Sequence, residues 1–233
     1  MNVLAIETST PVCSIAIETK DAVFYRISTE KENSHGVLIF KYIDECLKDA
    51  KIAKEDLDLI ILSNGPGSFT GLRVGCSVAQ GLALGLGIEI IPYSSLRVTA
   101  QANFNHHKDS SEIKIIQDAH MNDYYLGHYK KNDLGTAIKV CEDFVIKKEK
   151  LPSFIKKDFK GEYAGDTASL ARGLSNLENV FDRKTMDFIS LAPSAIALLK
   201  TAKHDLQNTD LRKKPEEVFP VYLSGSDQWV KHE

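Results

Sequence analysis

The chain has 233 residues, 43% hydrophobic and 26% charged, with a formal net charge of −3. That length and balance bury a sizeable core, which excludes a disordered chain or a small disulfide-stapled scaffold. The slight negative charge excludes general polyanion-binding character, so this chain alone is a poor holder of nucleic acid.

Asn2–Glu7 is an apolar, β-branched run that ends in the turn signal Thr8-Ser9-Thr10-Pro11. Val12–Glu18 alternates and Ala22–Ser28 follows across Lys20-Asp21, so the first three segments read as an antiparallel meander. His35–Ala50 carries Leu38/Ile39, Tyr42/Ile43, Cys46/Leu47 and Ala50 at helical spacing, with Ser34 as N-cap. Leu57–Ser63 is a short apolar strand of the kind buried on both faces. A glycine-rich loop follows, then a helix from about Thr70 to Leu86, a strand Glu89–Pro92, and a helix opening at Ser94/Ser95 that fades near Phe104.

Past the polar connector 105–111 a similar order begins again. Ile113–Gln117 is a strand ending in Asp118-Ala119-His120; Tyr124–Tyr129 pairs back on it and Thr136–Val145 supplies a third strand. A helix Leu151–Phe159, a strand Glu162–Ala164, a turn at Gly165-Asp166-Thr167 and a helix Ala168–Gly173 follow. Ser194–Lys203 is helical, and the chain closes on a tail around Pro220-Val221-Tyr222-Leu223. A β-β-β-α-β-α order occurring twice is a structural repeat and predicts two similar lobes. The fold expected is α/β, two-lobed, of actin-like/sugar-kinase (ASKHA, RNase H-like) architecture with a reduced second lobe. Residues 1–105 form the first lobe, 106–215 the second with a returning C-terminal helix, and 216–233 a tail.

The chemistry-bearing segments are few. Ser63-Asn64-Gly65-Pro66-Gly67-Ser68-Phe69-Thr70-Gly71 joins a strand to a helix N-terminus. It reads either as a tight turn that needs glycine for its geometry or as an anion contact through Gly65, Gly67, Ser68, Thr70 and Arg73. No Gly-Lys-Ser/Thr follows, so it is not a Walker A loop. In the next helix Gly71, Gly75, Ala79 and Ala83 recur every four residues, with Gly81 and Gly85 nearby. Such a stripe admits close helix packing. Core burial explains it, and so does a protein–protein surface formed with the 35–50 helix through Leu38, Tyr42, Gly71, Gly75, Ala79, Leu82 and Ala83. Val37 and Phe40 add apolar residues off the main stripe of that helix.

Glu7 and Asp118 each end a lobe's first strand, where a phosphotransferase or ATPase would use them with a metal; both also serve simply as turn caps. The seven histidines give no pair four apart on a helix, and the four cysteines are widely spaced, so neither a metal centre nor a disulfide framework is expected. Lys147, Lys148, Lys150, Lys156, Lys157 and Lys160 make a basic run that reads as a solvated face. The N-terminus lacks a signal-peptide pattern and Val78–Pro92 is too interrupted to span a bilayer, so a soluble cytoplasmic protein is expected.

Leu4-Ala5-Ile6-Glu7-Thr8-Ser9-Thr10, Gly65-Pro66-Gly67-Ser68-Phe69-Thr70-Gly71-Leu72-Arg73-Val74-Gly75, Ala79-Gln80-Gly81-Leu82-Ala83, Asp118-Ala119-His120-Met121-Asn122-Asp123-Tyr124-Tyr125 and Pro220-Val221-Tyr222-Leu223 together resemble the bacterial TsaB (YeaZ) family. The resemblance spans almost the whole chain. It implies a non-catalytic partner subunit in making N6-threonylcarbamoyladenosine in tRNA, dimerising through the first-lobe helices with the paralogous TsaD-type transferase and joined by a TsaE-type ATPase. It further implies tRNA contact only through the complex, no cofactor of this chain's own, and ATP/ADP and metal held by the partners; apolar helices made for a paralogue can also self-associate, so a homodimer of the isolated chain is expected at high concentration. In TsaD a His-x-x-x-His motif binds metal; here His35 begins the corresponding helix and Ile39 replaces the second ligand. The family usually has Asp where Glu7 stands, Arg where Asn64 and His120 stand, and Gly-Glu where Asn122-Asp123 stand.

Overall fold

The computed structural model describes residues 1–28, 35–119, 123–155, 159–165, 188–190 and 192–223. They belong to two compact units, one of Met1–Val98 with Pro193–Tyr222, the other of residues within Thr99–Ala192 together with Leu223. The first unit holds a five-stranded sheet of β1 (Val3–Glu7), β2 (Ser14–Glu18), β3 (Val23–Ile27), β4 (Leu59–Gly65) and β5 (Glu89–Ser94), in the order β3-β2-β1-β4-β5. The first three strands form the antiparallel meander; β4 and β5 join in parallel after crossovers through α1 (His35–Ala50) and α2 (Phe69–Leu86). Alternation turns Leu4, Ile6, Ile15, Ile17, Ile60 and Leu62 toward Ile39, Tyr42, Ile43 and Cys46 of α1 and Cys76, Val78 and Ala79 of α2. A helix α3 (Ser95–His106) follows β5, and the boundary between the units falls within it, not at the polar connector where the sequence places it.

The second unit repeats the plan. Its sheet has β6 (Glu112–Asp118), β7 (Asp123–Lys131), β8 (Ala137–Lys139), β10 (Glu162–Gly165) and β11 (Phe188–Ser190) in the order β11-β10-β6-β7-β8, with β9 (Phe144–Lys147) also paired to β7. Counted by appearance within each unit, with β8 and β9 together as the third strand, both sheets read 3-2-1-4-5 with the same directions. This is the duplicated RNase H-like arrangement the repeat predicts. The expected third strand Thr136–Val145 is broken into β8 and β9, each pairing with a different half of β7. The expected helix Leu151–Phe159 is the short α4 (Leu151–Phe154): Pro152 is accommodated in its first turn, where no amide hydrogen bond is lost, and the helix stops because Ile155 is already extended. The Ser34 cap, the 166–167 turn and the 168–173 helix lie outside the described residues. Lys114 sits in this unit's core, its ammonium 4.8 Å from the ring of Phe154, 4.3 Å from Phe159 and 5.7 Å from Tyr163.

The C-terminal part corrects the expected lobe boundaries: α5 (Ala195–Ala202) belongs to the first unit, not to a lobe reaching 215. Every residue of β1 and β4 is buried, which requires cover on both faces. The helix α5 supplies the second cover by packing on β1, β2 and β4. Ser194 caps it at Ala197, and the Ser14 hydroxyl of β2 accepts from the Ala195 amide at 3.0 Å. The chain then closes the β5 edge. Lys213 and Ile90 exchange two backbone hydrogen bonds, and Gln80 of α2 donates to the carbonyls of Pro215 (3.1 Å) and Val218 (2.9 Å).

Candidate protein-docking face and the glycine loop

The glycine loop is shaped by this chain's own backbone. The Ser68 amide donates to the Ser9 carbonyl at 2.7 Å, and a Cβ at Gly67 would run into that same carbonyl. A Cβ at Gly71 would strike the Thr8 carbonyl, and one at Gly75 the Thr8 hydroxyl, which itself donates to the Gly71 carbonyl at 2.9 Å. Gly65 has φ +126° and backs directly on the Val221 carbonyl. The Ser68 hydroxyl caps α2 by accepting from the Gly71 amide at 3.2 Å. The close approaches that glycine permits at Gly71, Gly67 and Gly65 are thus taken by Thr8, Ser9 and Val221 of this chain. Thr70 is exposed, and Arg73 turns away to Phe69 and Tyr222. Asn64 fastens the tail: its carbonyl accepts from the Val221 amide at 2.7 Å and its side-chain amide donates to the Phe219 carbonyl at 3.0 Å.

The small-residue stripe of α2 therefore faces inward. Gly71, Gly75, Ala79 and Ala83 are buried against the sheet and the Thr8 turn, and Tyr42 is buried with the core of α1. Leu38 and Leu82 are partly buried at its margin. For Gly71, Gly75, Ala79, Ala83 and Tyr42 as the address of a partner surface this is a correction; Leu38 and Leu82 keep an outer edge, and the fully exposed residues are different ones. Along α2 the exposed ridge is Phe69, Arg73, Ser77, Gly81 and Gly85, again spaced by four. Beside it Leu84 is 73% exposed, and on α1 Val37 is 68% and Phe40 57% exposed. A Cβ at Gly36, Gly81 or Gly85 would meet nothing within 4 Å among the described residues, so none of those demands glycine there. Each nonetheless costs a helix roughly 0.5–1 kcal/mol relative to alanine. Between the helices lies an apolar groove of about 510 Å³, lined by Phe40, Arg73, Val74, Ser77, Val78, Gly81 and Leu82.

Glu7 is fully buried. Its Oε1 accepts from the Ser9 amide at 2.6 Å, and the Ser9 and Ser63 hydroxyls lie beside the carboxyl; among the described residues Oε2, Ser9 Oγ and Ser63 Oγ make no hydrogen bond of full geometry. Burial pushes the carboxyl above its ordinary range, toward the neutral form. Asp118 ends β6 in the second unit and is half-buried; His120 lies outside the described residues. Ile39, four residues after His35, is wholly within the core. Among the described residues no three of His, Cys, Asp and Glu gather as a metal site. The cysteines are unbridged, and burial pushes the thiols of Cys13 and Cys76 up to about 12 and that of Cys46 to about 11. Of the basic run, Lys147 pairs with Asp123 at 2.9 Å, and Lys156 and Lys157 lie outside the described residues. No helix among the described residues is long and apolar enough to cross a membrane.

Val37 and Phe40 are visible in the sequence as apolar residues off the helix stripe, whereas Phe69, Leu84 and Tyr222 carry no such signal. Phe69 begins a helix like any other residue, and Tyr222 joins it from 153 positions away only through the folded tail.

Comparison with known proteins gives concordant matches. The family model described as TsaD, tRNA N6-adenosine threonylcarbamoyltransferase, matches residues 28–214. A tRNA threonylcarbamoyladenosine biosynthesis protein TsaB of Bacillus subtilis is 33% identical over 87% of this chain and 88% of its own. That of Haemophilus influenzae is 28% identical over 99% of this chain and 97% of its own. Among solved structures, YeaZ from Pseudomonas aeruginosa matches with a TM-score of 0.80 at 25% identity, over 95% of this chain and 99% of that one.

Proposed function

The chain belongs to the TsaB (YeaZ) family of tRNA threonylcarbamoyladenosine biosynthesis proteins, and we propose that in this pathway it is a non-catalytic partner subunit that docks on a TsaD-type transferase. The observation that carries the reading is the outer face of α1 and α2, where Val37, Phe40 and Leu84 stand in solvent beside glycines that no described residue of the chain requires. Two helices with such a face form half of a helix–helix interface, and the open Cβ positions of Gly81 and Gly85 let a partner helix approach closely. A paralogous partner suits this surface, because a subunit built on the same plan presents helices of matching length.

The non-catalytic role is supported by the fate of the groups that chemistry would need. Glu7 is buried and held toward its neutral form, the glycine loop is filled by backbone, and Ile39 occupies the core where a second ligand would stand. On this reading ATP or ADP and the metal belong to the TsaD-type and TsaE-type subunits, tRNA is met only through the assembled complex, and the isolated chain pairs with itself at high concentration through the same face. The test is co-purification with the TsaD-type subunit. Val37→Asp or Phe40→Asp abolishes it on this reading, and recovery of an undiminished complex with both variants overturns it.

A further inference from the structure

We propose that Arg73 is the ionic anchor of the docking face and that its counterpart is a carboxylate on the partner's docking helix. The inference rests on the docking reading above and adds the chemistry of the partner at one point. Arg73 lies on the exposed ridge of α2 and lines the apolar groove. Its guanidinium lies over the Phe69 ring, 3.6 Å from the centroid, and its Nε donates to the Tyr222 hydroxyl at 3.1 Å. The Tyr222 ring in turn packs on Phe69 with centroids 5.4 Å apart, brought there by the Val221–Asn64 backbone bond. An aromatic platform and a hydroxyl thus hold a long side chain in one orientation.

The charge so held has no counterpart within the described residues. Arg26 pairs with Glu45 and Asp49, Arg97 with Asp205 and Arg212 with Glu89, whereas Arg73 makes no ion pair among them. Its Nη1 and Nη2 remain as a planar fork of donors, the geometry that a carboxylate oxygen pair fits. Ordering an arginine on binding ordinarily costs rotamer entropy; the ring and hydroxyl have already imposed that order. The apolar floor beside the fork, from Phe40, Val74 and Leu82, suits the side chains of a helix more than a nucleotide. The occupant is therefore an amphipathic helix that lays apolar residues in the groove and a Glu or Asp on Arg73.

Titration calorimetry of the full chain with the TsaD-type subunit of the same organism, in nucleotide-free buffer at several salt concentrations, tests the anchor. Arg73→Gln is expected to bind at least about tenfold more weakly, with a flatter salt dependence and an unchanged melting temperature. Tyr222→Phe keeps the ring, loses the hydroxyl, and is expected to weaken binding about twofold to fivefold. Phe40→Asp reports on the docking face itself. If Phe40→Asp abolishes binding while Arg73→Gln matches the wild type in affinity and salt slope, the anchor is wrong and the docking reading stands. If neither weakens binding, both fall. An Arg73→Gln effect that appears only after ADP or ATP is added assigns the anion to a phosphate and overturns the carboxylate. Should Arg73→Gln lower the melting temperature, Tyr222→Phe decides: wild-type affinity for it overturns the anchor.

Discussion

The Thr8 hydroxyl donates to the Gly71 carbonyl at 2.9 Å and stands where a Cβ on Gly75 would have to be. The turn after the first strand is thereby keyed into the helix after the fourth. Gly75→Ala is expected to lower stability by about 1–3 kcal/mol through overpacking, read as a shift in urea midpoint at constant slope. Gly81→Ala, which meets open space, is expected to raise it by up to about 1 kcal/mol.

The outer face should behave in the opposite way. Val37→Asp, Phe40→Asp and Leu84→Asp are expected to leave the stability of the isolated chain within about 0.5 kcal/mol, because these side chains already stand in water. They should also reduce any self-association, measured by sedimentation at high protein concentration. A melting temperature lowered as much as by Gly75→Ala would show that the face is covered within the chain.

Glu7 predicts a pH signature. Its folded-state pKa is raised above the ordinary 4.5, so the folded chain keeps this proton to higher pH than the unfolded chain does. Stability owed to the group is therefore complete below pH 4.5 and falls as pH rises toward the raised value. Glu7→Gln removes the titration, and its stability relative to wild type should grow between pH 4 and 7 by chemical denaturation. A constant difference across that range would contradict the buried, desolvated carboxyl.

The C-terminal strap is expected to be part of the first unit's stability. Val218 is buried in its core, and Gln80 makes two hydrogen bonds to the strap. Val218→Ala should cost about 1–3 kcal/mol and Gln80→Ala about 1 kcal/mol, with a single cooperative transition retained in the first unit. Independent melting of the strap, seen as early loss of amide protection at Val221 and Lys213, would count against it.

Local pattern made the strands and helices of both sheets readable, because alternation and helical spacing are local and the order of elements restricts the topology. The duplicated 3-2-1-4-5 sheet follows from that order. The direction of the α2 stripe was not readable. A run apolar nearly all round gives no phase, and both Gly75-type and Gly81-type positions recur every four residues. Only the Thr8 turn, 63 residues from Gly71, decides which stripe faces in. The placement of α5 was hidden for the same kind of reason: a short Ala/Leu helix suits either sheet, and the Ser14–Ala195 bond spans 181 residues. The aromatic platform under Arg73 depends on a tail whose sequence carries no periodicity.

The central claim is that this chain acts by docking, not by chemistry of its own. Incorporation of labelled threonine into tRNA by the TsaD-type subunit and its companions, with and without this chain, tests it most directly. The account predicts incorporation only when the chain is present, none by the chain alone, and a failure of Phe40→Asp to substitute for it. Equal incorporation without the chain, or full activity of Phe40→Asp, would contradict it.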